Sequence, residues 1–300
     1  MKKTLLLIAT LLASYVGMAQ ETYHPTAENL KAREQFQDDK FGIFLHWGLY
    51  SMMGTTEWIM TNRDINYKEY PKLAKTFYPS EFDADAWVKA IKAAGAKYIT
   101  ITTRHHDGFS LFKTATSSYN SVDGTPFKRD IIKEIADACQ RNGIKLHLYY
   151  SHLDWGREDY PVGRTGTGTG RPKEKANWPS YYKFMNTQLT ELLTNYGKVG
   201  AIWFDGWWDH DSDAKPFDWQ LEEQYALIHK LQPQCLVANN HHHTPFPGED
   251  IQIFERDLPG ENKAGLSGQS IGRLPLESCQ TINEHWGYNI TDTLYKSPKE

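Results

Sequence analysis

The chain has 300 residues, and its 33 Lys and Arg against 37 Asp and Glu give a formal net charge of -4. That balance leaves no basic excess to gather nucleic-acid phosphates, and 40% hydrophobic with 23% charged residues excludes a disordered chain. Aromatics reach 13%, including 10 Trp and 17 Tyr, and flat rings beyond the needs of a core suit the C–H faces of sugars.

The chain opens with Lys2 and Lys3, an apolar run from Leu5 to Val16, and Gly17-Met18-Ala19 before Gln20. This is the layout of a secretory signal cleaved after Ala19, with residues 20–300 as the mature catalytic domain. The alternative, a retained membrane anchor, is disfavoured because the run is shorter than the ~20 residues that cross a bilayer. The expected location is therefore secreted or periplasmic. Strands are then expected at Phe41–His46, Tyr98–Thr103, Lys145–Ser151, Val199–Asp205, Cys235–Asn240 and Asp250–Glu255, with a weaker seventh near Ser278–Asn283. Between them, helices are expected from Asp83 to Gly95, from about Arg129 to Gly143, from Asn177-Trp178-Pro179 to Gly197, and over Asp218–Leu231. Cys139, Cys235 and Cys279 are odd in number and sit in apolar stretches, so buried free thiols are expected.

Alternating strands and helices predict an α/β fold with a parallel sheet, either an irregular (β/α)8 TIM barrel or an open doubly wound sheet. Polar residues decide between them. His46-Trp47, Arg104-His105-His106-Asp107, Ser151-His152, Asp205, Asn239-Asn240-His241 and Glu255 follow the strands in turn. A barrel converges all those ends on one mouth, whereas an open sheet offers one crevice. Only about fifteen residues separate Asn240 from Glu255, too few for a crossover helix. The loop Asp154–Asn177 carries Gly166-Thr167-Gly168-Thr169-Gly170, but no strand leads into it and no helix opens on its last glycine, so it is expected as a flexible rim and not a phosphate cradle.

The run Val199-Gly200-Ala201-Ile202-Trp203-Phe204-Asp205-Gly206 is the sharpest chemical signal. An apolar strand ends in a carboxylate, and the following glycine lets the chain turn away. Asp205 is the candidate nucleophile, base or ligand; the competing reading is a helix cap, but the next helix starts about ten residues on. A second carboxylate, Glu255, ends the strand Asp250–Glu255 behind Phe254, whose ring is expected to desolvate it and suit it to act as an acid. Competing readings are a surface pair with Arg256 or Arg273, or the acid role at Glu249, Glu261 or Glu277. Two carboxylates in a pocket with His and Trp describe a glycoside hydrolase.

Four motifs in order, His46-Trp47-Gly48, Glu57-Trp58, Arg104-His105-His106-Asp107-Gly108-Phe109 and Trp203-Phe204-Asp205-Gly206, closely resemble the α-L-fucosidases of glycoside hydrolase family 29. The resemblance covers about Ala32 to Tyr288. It implies a retaining exo-α-L-fucosidase that removes terminal fucose from fucosylated oligosaccharides or glycoconjugates by double displacement. Asp205 matches the nucleophile and Glu255 the acid/base of some members. His46, Glu57, Trp58, His105, His106 and Trp203, with Tyr149 as a weaker match, fall where the family binds the sugar. No cofactor and no metal are implied.

Two departures accompany the resemblance. Many members carry an arginine after the fifth strand where this chain has Asn239-Asn240-His241-His242-His243, and the chain ends at Glu300 where an eighth strand and a C-terminal β-sandwich are expected. A non-catalytic fucose-binding barrel fragment is therefore an alternative function. A metal-dependent hydrolase, using His105-His106, His241-His242-His243 or Asp209-His210-Asp211, is another; against it, no His-x-x-x-His pair sits on a helix.

Overall fold

The computed structural model describes residues 23–297; the expected signal segment Met1–Ala19 lies outside the described residues. Seven apolar segments form strands: β1 Gly42–Leu45, β2 Tyr98–Arg104, β3 Lys145–Ser151, β4 Ala201–Asp205, β5 Leu236–Asn240, β6 Gln252–Glu255 and β7 Leu276–Cys279. The first five pair in parallel and in chain order. The last two pair in parallel with each other, and an Ala238–Ile251 bridge joins them to β5. Parallel strands in sequential order with helical crossovers are the arrangement of a (β/α) barrel. The seventh strand starts two residues before the expected Ser278. Between β5 and β6 no helix intervenes, as the short spacing requires.

The helices are α1 Ala27–Asp39, α2 Ile59–Asn62, α3 Ala84–Ala93, α4 Ile131–Asn142, α5 Trp178–Asn195 and α6 Leu221–Leu231. Side chains of Asp83, Asp130 and Asn177 cap α3, α4 and α5 by accepting backbone N–H groups, and α4 stops at the left-handed Gly143. The α1 helix is not foreseen by hydrophobic periodicity because it buries only Asn29 and Phe36. Phe36 sits against Tyr98 and His147 with centroids 5.5 and 6.0 Å away, so α1 covers the end of the strands opposite their carboxyl termini.

Period-two alternation sorts the strand residues into two cores. Ile202, Phe204, Leu148 and Tyr150 face the helices in the larger core. Ala201, Trp203, Tyr149, Leu236, Ala238, Ile251, Ile253 and Cys279 face inward and fill the barrel. Cys139, Cys235 and Cys279 are free and buried. The loop from Asp154 to Asn177 is firmly tied: Asp209 accepts the Tyr160 hydroxyl at 2.9 Å, the Thr165 backbone N–H at 2.8 Å and the Thr165 hydroxyl at 2.6 Å.

Candidate active site

Alternation along β4 carries the inward phase from Ala201 through Trp203 to Asp205, and along β6 from Ile253 to Glu255. Both carboxylates thus arrive at the carboxyl-terminal mouth. Gly206, at φ 93°, turns the chain away so tightly that a side chain there would meet the Leu153 backbone nitrogen at 3.0 Å. Asp205 Oδ1 accepts the Trp208 indole N–H at 3.0 Å and the Asn240 amide at 3.3 Å, while Oδ2 accepts the Tyr149 hydroxyl at 2.9 Å. His106 Nε2 lies 3.4 Å from Oδ2. Burial by itself would raise this carboxyl, but His106, by hydrogen bond and charge, and then Trp208 and Tyr149 outweigh it and hold Asp205 well below the usual carboxylate range.

Glu255 is joined to Asp205 through one side chain. The Asn240 amide nitrogen donates to Glu255 Oε2 at 2.8 Å as well as to Asp205 Oδ1 at 3.3 Å. Two legs meeting at one nitrogen keep those oxygens within about 6 Å of each other, near the ~5–5.5 Å of a retaining carboxylate pair and short of the ~6.5–9.5 Å of an inverting one. His242, held at φ 66°, contributes its Nε2 at 2.9 Å from the same Oε2. Phe254, adjacent on β6, faces the opposite side of the strand from Glu255, and the side chains that hydrogen-bond the Glu255 carboxylate are Asn240 and His242. Nor does Glu255 pair with Arg256, whose guanidinium donates to the Glu284 carbonyl at 2.9 Å. Of the competing glutamates, Glu249 is engaged by Tyr225 and His241, Glu277 by Trp203 and Tyr98, and Glu261 by Lys263 at the surface.

A cavity of about 190 Å³ opens above the pair, and His46, Glu57, Trp58, His105, Tyr149 and Trp203 line it together with both carboxylates. Trp58 stacks on Trp208 at 5.6 Å and 16°, giving the pocket a paired indole wall. Glu57 is fixed by the Gly287 backbone N–H at 2.7 Å and the Thr56 hydroxyl at 3.2 Å. Burial pushes His46 down to about 4 against the pull of Glu57 and Asp205, and pushes His105 well below its ordinary range with help from His106 and His46. Both rings are therefore neutral near pH 7, each with one donor and one acceptor nitrogen.

His106 differs from its expected place. Its ring touches His105 at 4.1 Å, since β2 and β3 shift register between Thr102 and Arg104 and the two histidines follow that irregularity. Yet His106 stands behind Asp205 and does not line the cavity. Ser151 donates its hydroxyl to the Leu153 carbonyl at 2.7 Å, so the 2.7 Å contact between Ser151 Oγ and His106 Nδ1 has the ring as donor. This leaves Nε2 as the edge His106 presents to Asp205.

The cavity also contains residues without a prior signal: Phe44, Arg164, Leu266 and Trp286. Trp286 stacks on His46 at 5.5 Å, and Arg164 arrives on the rim loop, its guanidinium 5.2 Å over Trp208. Asn240 and His242 belong to the polar run that follows the fifth strand in the sequence, and Asn240 ends β5 in register with Asp205. A larger cavity of about 680 Å³ lies at the opposite end of the strands beside α1; its Asp39 is ion-paired with Lys145, and none of the strand-end residues reaches it. The histidine runs are dispersed into separate pairs, His241 with Glu249 at 3.0 Å and His210 with Asp213 at 2.7 Å. Among the described residues no three His, Cys, Asp or Glu side chains group as metal ligands would.

The family model for alpha-L-fucosidase matches residues 10–300. The chain is 32% identical over 316 residues to the plasma alpha-L-fucosidase of Rattus norvegicus, covering 95% of this chain and 62% of that protein. It is similar to the solved alpha-L-fucosidase isoenzyme 1 of Paenibacillus thiaminolyticus, with 37% identity, a TM-score of 0.76, and coverage of 89% of this chain and 66% of that one. It is likewise similar to alpha-L-fucosidase AlfC of Lactobacillus casei in complex with its alpha-L-fucose product, with 29% identity, a TM-score of 0.75, and coverage of 90% and 85%. The chain spans less than two thirds of the length of the curated relatives it matches. A match across residues 10–300, with a barrel whose strand ends bring Asp205, Glu255 and the His and Trp walls together, establishes that this chain belongs to the alpha-L-fucosidase family.

Proposed function

We propose that the chain is a retaining exo-α-L-fucosidase acting on terminal α-L-fucose of fucosylated glycans, with Asp205 as nucleophile and Glu255 as acid/base. The observation that carries this reading is the Asn240 amide shared by the two carboxylates inside one sugar-sized recess. Asp205, held ionised, attacks the anomeric carbon as Glu255 gives its proton to the glycosidic oxygen; the carbon–oxygen bond breaks, the aglycone leaves as an alcohol and fucose is esterified to Asp205. Water then attacks the same carbon while its proton passes to the Glu255 carboxylate. The ester bond breaks, fucose departs and Asp205 is again a carboxylate, with configuration retained. Neutral His46 and His105 and the Glu57 carboxylate supply donors and acceptors for the sugar hydroxyls, and the indole walls suit its methyl edge. The lysine-led apolar stretch ending at Ala19 supports export to the periplasm or medium.

The test is Asp205→Gly with a chromogenic α-L-fucoside. Turnover should fall by about 10³-fold or more, and azide should restore release of the chromophore while yielding a fucosyl azide of inverted configuration. Retention of more than about a few per cent of activity, or an azide product of retained configuration, overturns the assignment of Asp205. A parent chain that binds fucose but releases no chromophore identifies a binding module instead.

A further inference from the structure

A buried carboxylate outside the recess holds the polar run that follows β5. The His243 backbone N–H donates to His241 Nδ1 at 3.0 Å, so that nitrogen carries no hydrogen. The opposite one, Nε2, is then the donor to Glu249, at 3.0 and 3.1 Å from its two oxygens. Glu249 also accepts the Tyr225 hydroxyl of α6 at 2.9 Å and the Phe246 backbone N–H at 3.1 Å. The Tyr225 hydroxyl in turn accepts the Asn239 amide at 2.8 Å. Asn239, His241, Tyr225 and Glu249 are all buried, and none of the four lines the recess.

Asn240 and His242, alternating with Asn239 and His241 along the chain, do line it. His242 sits at φ 66°, a left-handed backbone that a side chain adopts rarely and that the surrounding contacts must hold. Its ring and the Asn240 amide reach the same oxygen, Glu255 Oε2, at 2.9 and 2.8 Å. An ionised carboxylate only accepts, so both neighbours donate to Oε2. Two donors on Oε2 also leave it no lone pair for a hydrogen of its own, which places the hydrogen of the acid form on Oε1.

We infer that His242 is a positioning residue for the acid/base: the Glu249–His241 pair holds its loop so that His242 and Asn240 fix Glu255 Oε2 and leave Oε1 to give and take back the proton. This rests on the reading of Glu255 as the acid/base. In the first step Oε1 passes its hydrogen to the glycosidic oxygen as the carbon–oxygen bond breaks, and in the second it takes a hydrogen from the attacking water. A carboxyl free to turn presents the wrong oxygen part of the time. The loss is therefore greatest where the leaving group most needs the proton.

The experiment compares His242→Ala, His242→Gln and Glu249→Gln with the parent chain and with Glu255→Gln, with Tm measured alongside. The substrates are a series of aryl α-L-fucosides running from 2-chloro-4-nitrophenyl, whose phenolate leaves without a proton, to phenyl, whose phenolate needs one. His242→Ala and Glu249→Gln should lower kcat/KM on the phenyl fucoside by about 10-fold or more and on the chloronitrophenyl fucoside by less than about 3-fold. His242→Gln, which returns a donor of similar reach, should recover most of the loss. Where Glu249→Gln fails to fold, His241→Ala breaks the same pair while leaving Glu249 its Tyr225 and Phe246 donors, and the same pattern is expected. Equal losses along the series, or none, overturn the inference. Equal losses along the series in Glu255→Gln itself, or a parent chain that cleaves no fucoside, overturn the reading of Glu255 instead, and the inference falls with it.

Discussion

His106 is the neighbour that does most to hold Asp205 ionised against its burial. Ser151 donates to the Leu153 carbonyl and contacts His106 Nδ1 at 2.7 Å, and the opposite ring nitrogen, Nε2, lies 3.4 Å from Asp205 Oδ2. Burial raises the Asp205 carboxyl, and the His106 contact is the foremost of the effects that overcome it. Replacing His106 by Ala should therefore let burial prevail. The acid limb of the kcat/KM profile should move upward toward neutral pH, with kcat/KM at neutral pH lower by about 10-fold or more. A His106→Ala protein with a lower Tm but an unmoved acid limb would show that the ring is only a packing element.

The rim loop is the element whose order comes from elsewhere in the chain. Asp209, in the short turn after β4, accepts three hydrogen bonds from Tyr160 and Thr165 and is buried. Arg164, between those partners, is thereby presented to the cavity, where it also meets Asp211 at 3.2 Å. Asp209→Ala would leave these donors without their acceptor, at a cost of about 3 kcal/mol for the set. Tryptic cleavage at Arg157, Arg164, Lys173 and Lys175 should then accelerate well before global unfolding. An unchanged cleavage rate together with an unchanged Tm would mean that the loop is held by other contacts. Composition alone made this loop look loose, because its glycines and polar residues carry no sign of a carboxylate that lies more than thirty residues downstream.

Across the whole molecule, buried histidines tie stability to pH. Burial pushes His46 and His152 down to about 4 and His147 down to about 3, with Gln224 partly opposing the shift at His152. The fold keeps these rings neutral, whereas the unfolded chain takes up their protons from about pH 6.5 downward. The unfolded state then binds more protons, so stability falls as pH drops from about 6.5 toward 4. Asp107 works in the opposite sense: burial pushes it up to about 6, so below about 6 the folded state binds its proton first, down to the ordinary value near 3.9. Three histidines outweigh this carboxyl, and Tm should be level near pH 7–8 and decline below about 6.5. His147→Gln, far from the mouth, should flatten that decline without altering kcat/KM, and an equally steep decline in the variant would refute the linkage.

What the sequence determined by itself was the set of strands, because apolar runs with period-two alternation and flanking glycines are local properties, and with them the phase that sends Asp205 and Glu255 to the same mouth. The four motifs from His46 to Asp205 are likewise legible, three of them at a strand end or just beyond one and Glu57-Trp58 directly before α2. Which of these residues meet is set by the folded arrangement. Asn240 bridges the two carboxylates, His242 rather than Phe254 faces Glu255, His106 stands behind Asp205, and Trp286 closes against His46. These contacts join residues on different strands and loops, and the packing of successive parallel strands brings them within hydrogen-bond or van der Waals reach; no spacing along the chain encodes such distances. The helix α1 escapes the hydrophobic period for the complementary reason, because a segment that buries little apolar surface leaves no periodic trace even when its one buried ring, Phe36, completes the core.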